Sequence, residues 1–150
     1  MRKIIASDTV HLNHPIEKVW PVISEITSYI KWWPESVNLE IVKSTPEIVG
    51  SVLKANPLGG DSFSTMVDEI IPYQKIKIKY FDGLYRGDGF WIVESQNQKT
   101  VLTYKVDLEI VDPFTKFISY FIPVSKIHSL IFKKIFRNLE KYLEKIIDEF

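Results

Sequence analysis

The C-terminal quarter of the chain constrains the fold more than any other stretch. Asp112 and Pro113 have the form of a helix start, because aspartate accepts hydrogen bonds from free N–H groups and proline fits the first turn. From Val124 onward, apolar residues recur at the spacing of one helical face, mostly separated by basic residues. Pro123 lacks the N–H donor that a helix interior needs. The sequence therefore predicts a short helix to about Phe121 and a longer one after Pro123.

The apolar face of this long helix shows that it must lie on other structure. Its positions are Ile127, Ile131, Ile135, Leu139, Tyr142, Leu143 and Ile146. Between Phe114 and Phe136, further rings and aliphatic side chains widen the apolar surface to most of the circumference. Such a helix needs a second apolar neighbour, which is protein, ligand or membrane. We expect the segment from Phe114 to His128, which Pro123 interrupts, to be the gate of any site that the helix covers.

Length and composition limit the remaining choices. At 150 residues and 45% hydrophobic, the chain is expected to be a single domain, residues 1–150, with a sizeable core. Its 19 basic and 19 acidic residues cancel, which argues against nucleic acid as a partner. The absence of cysteine excludes disulfides and thiol chemistry. Because no apolar run suits a signal peptide or a spanning helix, we expect a cytoplasmic protein.

Hydrophobic spacing upstream predicts one strand, two short helices and six further strands. Alternation from Ile4 to Leu12 gives the first strand, and helical spacing follows over residues 15–25 and 26–33. The six later strands are predicted at residues 37–41, 50–55, 61–71, 75–80, 85–93 and 102–110.

A sheet with one apolar face must cover that face. The terminal helix is the only predicted element long enough to do so. The expected fold class is therefore α+β, with a curved seven-stranded antiparallel sheet wrapped on a long C-terminal helix and two short helices after the first strand.

Four short motifs carry a resemblance to a known family. They are Pro15-Ile16-Glu17-Lys18-Val19-Trp20, Tyr29-Ile30-Lys31-Trp32-Trp33-Pro34, Gly87-Asp88-Gly89-Phe90-Trp91 and Thr100-Val101-Leu102-Thr103-Tyr104. Their order and spacing resemble the START/Bet v 1-like (SRPBCC) superfamily, in particular its polyketide cyclase/dehydrase-like branch. The resemblance spans nearly the whole chain. It implies the helix-grip fold, with a deep cavity between sheet and terminal helix that holds an apolar ligand, but it implies no particular reaction.

The large side chains of the predicted elements are candidates for the wall of this cavity. So many aromatic rings either fill a core or line a pocket. Gly87 and Gly89 lie on the same strand face as Trp91, where they either leave space or bend the strand. Trp91 and Tyr104 are expected beneath the terminal helix. The candidate ligand-binding residues are Trp20, Trp32, Trp33, Phe63, Tyr80, Tyr85, Trp91, Tyr104, Phe117, Phe121, His128 and Phe132.

Signals for catalysis are few. His11, His14 and His128 lack metal-ligand spacing, so we expect no metal and no cofactor. The sequence contains no nucleophile elbow and no phosphate-binding loop. His128 is either a structural or exposed group or, if it faces the cavity, a partner for a ligand carbonyl or an acid or base.

Two functions therefore remain. The favoured one is a carrier or sensor that binds a lipid, an isoprenoid or a polyketide-like molecule. The alternative is a cyclase or dehydratase that acts on a polyketide-like substrate in the same cavity, which requires a positioned acid or base there. A third interpretation is weak contact of residues 114–124 with a membrane surface, which flanking lysines and aromatic side chains suit. The sequence does not predict the oligomeric state.

Overall fold

The computed structural model describes residues 2–57 and 60–148, and the side chains among them up to residue 146. The outer limits of the expected domain, residues 1 and 150, lie outside the described residues. The strands are β1 (Lys3–Leu12), β2 (Glu40–Lys43), β3 (Val52–Ala55), β4 (Phe63–Ile71), β5 (Lys75–Gly83), β6 (Tyr85–Gln96) and β7 (Lys99–Ile110). The α-helices are α1 (Ile16–Ser24), α2 (Tyr29–Trp32), α3 (Pro113–Ile118) and α4 (Val124–Asp148).

The strands form one antiparallel sheet in the order β1-β7-β6-β5-β4-β3-β2. Strands β2 to β7 are a meander, and β1 pairs with β7 from Lys3 opposite Glu109 to Leu12 opposite Thr100. Helices α1 and α2 follow β1, and α4 lies across the inner face against β1 and α2. The predicted α+β helix-grip architecture is therefore confirmed.

Helix α4 divides into two halves with different neighbours. Ile135, Leu139 and Leu143 are completely buried against the sheet, as the apolar spacing predicts. In the first half, Ile127 is 40% and Leu130 63% exposed, so this half lies over less protein. The break before α4 falls at Pro123 as predicted. No helix among residues 2–57 and 60–148 is long and apolar enough to cross a membrane.

Several predicted boundaries are wrong for local reasons. Strand β2 begins at Glu40, because Asn38 has a left-handed backbone (φ 50°) that ends a 3-10 turn at Glu35–Val37. The second predicted helix is a 3-10 turn followed by the short α2. Strand β5 continues through the predicted turn to Gly83, where the positive φ of 89° and the close backbone of Ser62 leave no room for a side chain.

Candidate functional site

An apolar cavity of about 200 Å³ lies between the sheet and the first half of α4. Strands β3 to β7 supply most of one wall, and Val124, Ile127 and Ile131 of α4 supply part of the other. The wall residues that carry polar side-chain atoms are Tyr29, Trp33, Thr65, Tyr80, Tyr85, Trp91, Tyr104 and His128. The cavity thus combines a largely apolar wall with a few groups that can donate or accept hydrogen bonds, which is the usual composition of a small-molecule site.

Aromatic rings from three elements meet at the centre of the wall. The ring of Tyr104 on β7 stacks on that of Phe132 on α4, with centroids 4.4 Å apart. Trp91 on β6 meets Tyr104 edge-on at 4.6 Å, because the two residues are opposite each other in the β6–β7 register. His128 lies one helical turn before Phe132, and their ring centroids are 4.8 Å apart. These contacts fix the position of His128 relative to the strands.

A pair of tyrosines forms the main polar feature of the sheet side. The hydroxyl oxygens of Tyr80 and Tyr104 are 2.6 Å apart. Burial raises the pKa of both phenols well above the usual range, so both stay protonated. One O–H donates within the pair, which leaves the other O–H free to donate to a ligand.

Gly89 makes room for this pair. A Cβ atom at Gly89 would lie 2.6 Å from the Tyr104 hydroxyl oxygen, so any side chain there would displace the phenol. At Gly87 the backbone of Asp107 occupies the place of a side chain, and φ is 145°. The two roles predicted for these glycines were to leave space or to bend the strand. At Gly89 the space is taken by Tyr104, and at Gly87 the reason is the close backbone of Asp107, which was not among the predicted roles.

His128 is the one histidine in the wall of the cavity. Its side chain is 17% exposed, and burial lowers its pKa to about 4, although the nearby Asp8 carboxylate raises it in part. The Nδ1 atom lies 4.0 Å from Asp8 Oδ2, which is too long for a hydrogen bond, while Ser129 Oγ donates to that same carboxylate oxygen at 3.2 Å. His128 is therefore neutral at pH 7, and one of its ring nitrogens can accept a hydrogen bond.

This lowered pKa predicts a pH-dependent loss of stability. The unfolded histidine titrates near pH 6.5, so between about pH 6.5 and about pH 4 the unfolded chain binds one more proton than the folded protein. The free energy of unfolding should fall by about 1.4 kcal/mol per pH unit over this window, or about 2–4 kcal/mol in all, from this group. Above pH 6.5 the contribution is constant.

Urea unfolding across this pH range, compared between the protein and His128→Gln, isolates the effect. The carboxylates titrate in both proteins, and the charged neighbour from β1, Asp8, remains. The variant should lack the His128 part of the slope. Equal slopes in the two proteins would show that the pKa of His128 is the same in the folded and the unfolded states.

The structure gathers eight of the twelve sequence-predicted residues around the cavity. They are Trp33, Phe63, Tyr80, Tyr85, Trp91, Tyr104, His128 and Phe132. Trp20 and Trp32 are buried but lie away from it. The ring of Trp20 contacts Tyr73 at 5.7 Å, and Trp32 Nε1 donates to Ser28 Oγ at 3.3 Å.

Phe117 and Phe121 are not in the cavity wall, and their placement there was wrong. They are 62% and 75% exposed, on the outer side of α3 and the turn that follows it. Their rings contact each other, with centroids 5.4 Å apart. That the segment from Phe114 to His128 is the gate of the cavity stays a prediction.

Sequence reasoning missed Tyr29 and Asp8. Tyr29 is 1% exposed, lines the cavity, stacks on Trp33 at 5.6 Å and donates its hydroxyl hydrogen to the Ile23 carbonyl. Asp8 lies on the same, less exposed face of β1 as Ala6 and Val10. A carboxylate in this alternating apolar pattern was the sequence signal that Asp8 faces inward. Among the described side chains, no three histidine, aspartate or glutamate residues cluster as a metal site would require.

Comparison with known proteins places these features in context. Residues 3–144 match the model of a family described as polyketide cyclase / dehydrase and lipid transport. A START superfamily protein from Mycobacterium smegmatis superposes with a TM-score of 0.73 at 18% identity, covering 95% of this chain and 98% of that one. No curated protein sequence matches this chain.

Two solved enzymes have the same fold. The Zhui aromatase/cyclase from Streptomyces sp. R1128 gives a TM-score of 0.71 at 13% identity, covering 97% of this chain and 96% of that one. Norcoclaurine synthase from Thalictrum flavum, in complex with dopamine and hydroxybenzaldehyde, gives 0.68 at 13% identity, covering 96% and 88%. At such identities the likeness establishes the fold alone.

Proposed function

Because this chain belongs to the polyketide cyclase/dehydrase and lipid transport family, we propose that it binds a small hydrophobic molecule in the cavity beneath α4, as a carrier or sensor. The observation that carries the proposal is the cavity itself, about 200 Å³ in volume and lined mostly by apolar side chains. Protein interiors are normally close-packed, so a void of this size is a feature of the fold that costs stability. Occupation by an apolar ligand would recover the lost contacts.

The size of the cavity narrows the class of ligand. An apolar cavity of about 150 Å³ in another protein holds benzene. A cavity of about 200 Å³ therefore suits a molecule of one or two rings, or an aliphatic chain of similar volume. Among the lipid, isoprenoid and polyketide-like molecules considered, the compact aromatic or isoprenoid members fit without expansion of the cavity.

The polar groups specify one end of the ligand. The free O–H of the Tyr80 and Tyr104 pair donates to an oxygen, and neutral His128 accepts from a hydroxyl. Both groups lie on one side of the cavity, since the Tyr104 and His128 ring centroids are 6.4 Å apart. We infer that the ligand carries a hydroxyl or carbonyl at one end and is apolar elsewhere.

Binding of 2-naphthol and naphthalene tests this proposal. Both have two rings, and they differ only in the hydroxyl that would meet the tyrosine pair. Titration calorimetry should give one saturable site per chain for both, with 2-naphthol the tighter ligand. The double variant Tyr80→Phe with Tyr104→Phe, which removes both hydroxyls, should weaken 2-naphthol about fivefold, since a hydrogen bond contributes about 1 kcal/mol, and should leave naphthalene nearly unchanged.

Tyr73→Phe is the matched control, because this exposed tyrosine lies outside the cavity. It should bind both compounds as the unaltered protein does. The absence of saturable binding of either compound would contradict the proposal, and equal weakening by the two variants would contradict the assignment of the polar end.

A neutral histidine in an apolar cavity also favours a second candidate function, a cyclase- or dehydratase-like enzyme. His128 could remove a proton next to a ligand carbonyl while the tyrosine hydroxyl donates a hydrogen bond to the carbonyl oxygen. Deuterium uptake from heavy water at the carbons flanking the carbonyl of 2-tetralone would reveal this activity. An enzyme accelerates the uptake and loses the acceleration in His128→Asn, whereas a carrier accelerates it in neither protein.

A further inference from the structure

An exposed cluster of large apolar side chains lies beside the cavity but outside it. We call it the aromatic surface. Its members are between 40% and 75% exposed, although large apolar side chains seldom gather at a surface that contacts nothing. They are Phe114, Phe117, Tyr120, Phe121, Ile122 and Leu130.

Specific contacts hold the aromatic surface in place. The Arg2 guanidinium donates to Ser119 Oγ at 3.1 Å and to the Ser119 carbonyl at 2.8 Å, and it lies 4.4 Å from the centroid of the Tyr120 ring. At the start of α3, the Asp112 carboxylate accepts hydrogen bonds from the backbone N–H and the hydroxyl of Thr115, both at 2.8 Å. Arg2, which precedes β1, ties the segment to the edge of the sheet, and Asp112 fixes the start of α3, while the phenylalanine rings are exposed.

Beyond the Asp112 carboxylate at the start of α3, the charge along α3 and the first half of α4 is one-sided. Residues 113–139 contain five basic residues and no acidic residue, in a chain whose formal net charge is zero. On α4, Lys126 and Lys133 flank Leu130 at the spacing of one helical face, and Lys116 lies in α3 among the phenylalanines. Exposed rings next to lysines form the pattern of helices that lie in the headgroup region of a membrane.

We propose that the aromatic surface docks on an anionic membrane, with Phe117 and Phe121 entering the interface and Lys116, Lys126 and Lys133 facing lipid phosphates. Anionic lipid complements the positive charges of these three lysines. A symmetric contact with a second copy of this chain would instead bring the same basic residues against each other, which like-charge repulsion opposes.

The aromatic surface and the cavity lie on opposite sides of the first half of α4, so docking would bring the bilayer close to the cavity. Val124, Ile127 and Ile131 line the cavity from one side of α4, while Lys126, Leu130 and Lys133 occupy the other side. Only the width of one helix, about 10 Å, separates a docked bilayer from the cavity. A ligand that partitions into lipid would therefore exchange between bilayer and cavity across the first half of α4.

Sedimentation with vesicles tests the docking. The probes are vesicles of phosphatidylcholine alone and of phosphatidylcholine mixed with phosphatidylglycerol, at low and high salt. The protein should sediment with the anionic vesicles and be released by salt. Phe117→Ala with Phe121→Ala, and separately Lys126→Glu with Lys133→Glu, should each reduce the bound fraction about tenfold.

Matched controls use similar residues elsewhere. Ile30→Ala with Phe81→Ala removes two exposed apolar side chains, and Lys54→Glu with Lys79→Glu reverses two exposed lysines of the sheet. Both controls should bind vesicles as the unaltered protein does. Binding of 2-naphthol should be unchanged in every variant, so failure of docking and failure of the cavity proposal are separate results.

Three results would overturn the proposal. The protein could fail to sediment with anionic vesicles. It could bind them equally well after either pair of substitutions at the aromatic surface. Analytical ultracentrifugation without lipid could find a dimer that the phenylalanine substitutions dissociate, which would identify the aromatic surface as a contact between two copies of the chain.

Discussion

Replacing Trp91 with alanine is expected to lower the free energy of unfolding by about 3 kcal/mol, the lower end of the range for a buried tryptophan. The indole is completely buried, and its ring centroid lies 4.6 Å from that of Tyr104 and 6.0 Å from that of Phe132. Two features keep the loss from being larger. Trp91 already borders the cavity, and its Nε1–H has no hydrogen-bond partner among the described residues.

Urea unfolding of the two proteins measures this difference. Trp91→Phe is the control, because it keeps an aromatic ring against Tyr104 and should lose about half as much stability. A loss below about 1 kcal/mol for Trp91→Ala would contradict the packing described here.

Filling the cavity is expected to have the largest effect on binding. Ala55 on β3 is 4% exposed and lines the cavity, so Ala55→Phe places a phenyl ring where the ligand would lie. The affinity for 2-naphthol should fall at least tenfold, which corresponds to about 1.4 kcal/mol. The stability of the unliganded protein should be equal or higher, because the new ring replaces empty space.

Two further variants make this test specific. Ile131→Trp fills the same cavity from α4 and should reproduce the loss of affinity. Lys54→Phe adds the same ring one residue away, on the exposed face of β3, and should bind 2-naphthol normally. Normal binding by both cavity-filled proteins would show that 2-naphthol binds elsewhere.

Much of the fold was predictable because its signals are local. The alternation from Ile4 to Leu12 matches the burial of β1, where both of these residues are buried and Ile5 is exposed. The break before α4 required only a proline, since Pro123 removes a backbone donor at that point. The limits of β2 depended on the left-handed backbone of Asn38, which hydrophobic spacing does not report.

The site was predictable only in part, since it depends on which buried surfaces fail to touch. Trp20 and Trp33 both look apolar and aromatic in the sequence, yet Trp20 on α1 packs against Tyr73 and Trp33 borders the cavity. Phe117 and Phe121 belong to a helical segment that is apolar nearly all round, so spacing could not tell its inner from its outer side. Lys126 and Lys133, which flank Leu130 at helical spacing, were the signal for the outer side of α4.

Intermolecular nuclear Overhauser effects between bound 2-naphthol and the protein test the central claim most directly. The claim is that an apolar molecule occupies the cavity between the sheet and α4. We expect contacts from the naphthalene protons to the methyl groups of Leu53, Ile78 and Ile131, which line that cavity from three elements. Contacts to Ile122 and Leu130 on the aromatic surface instead, with none to the three lining residues, would contradict it.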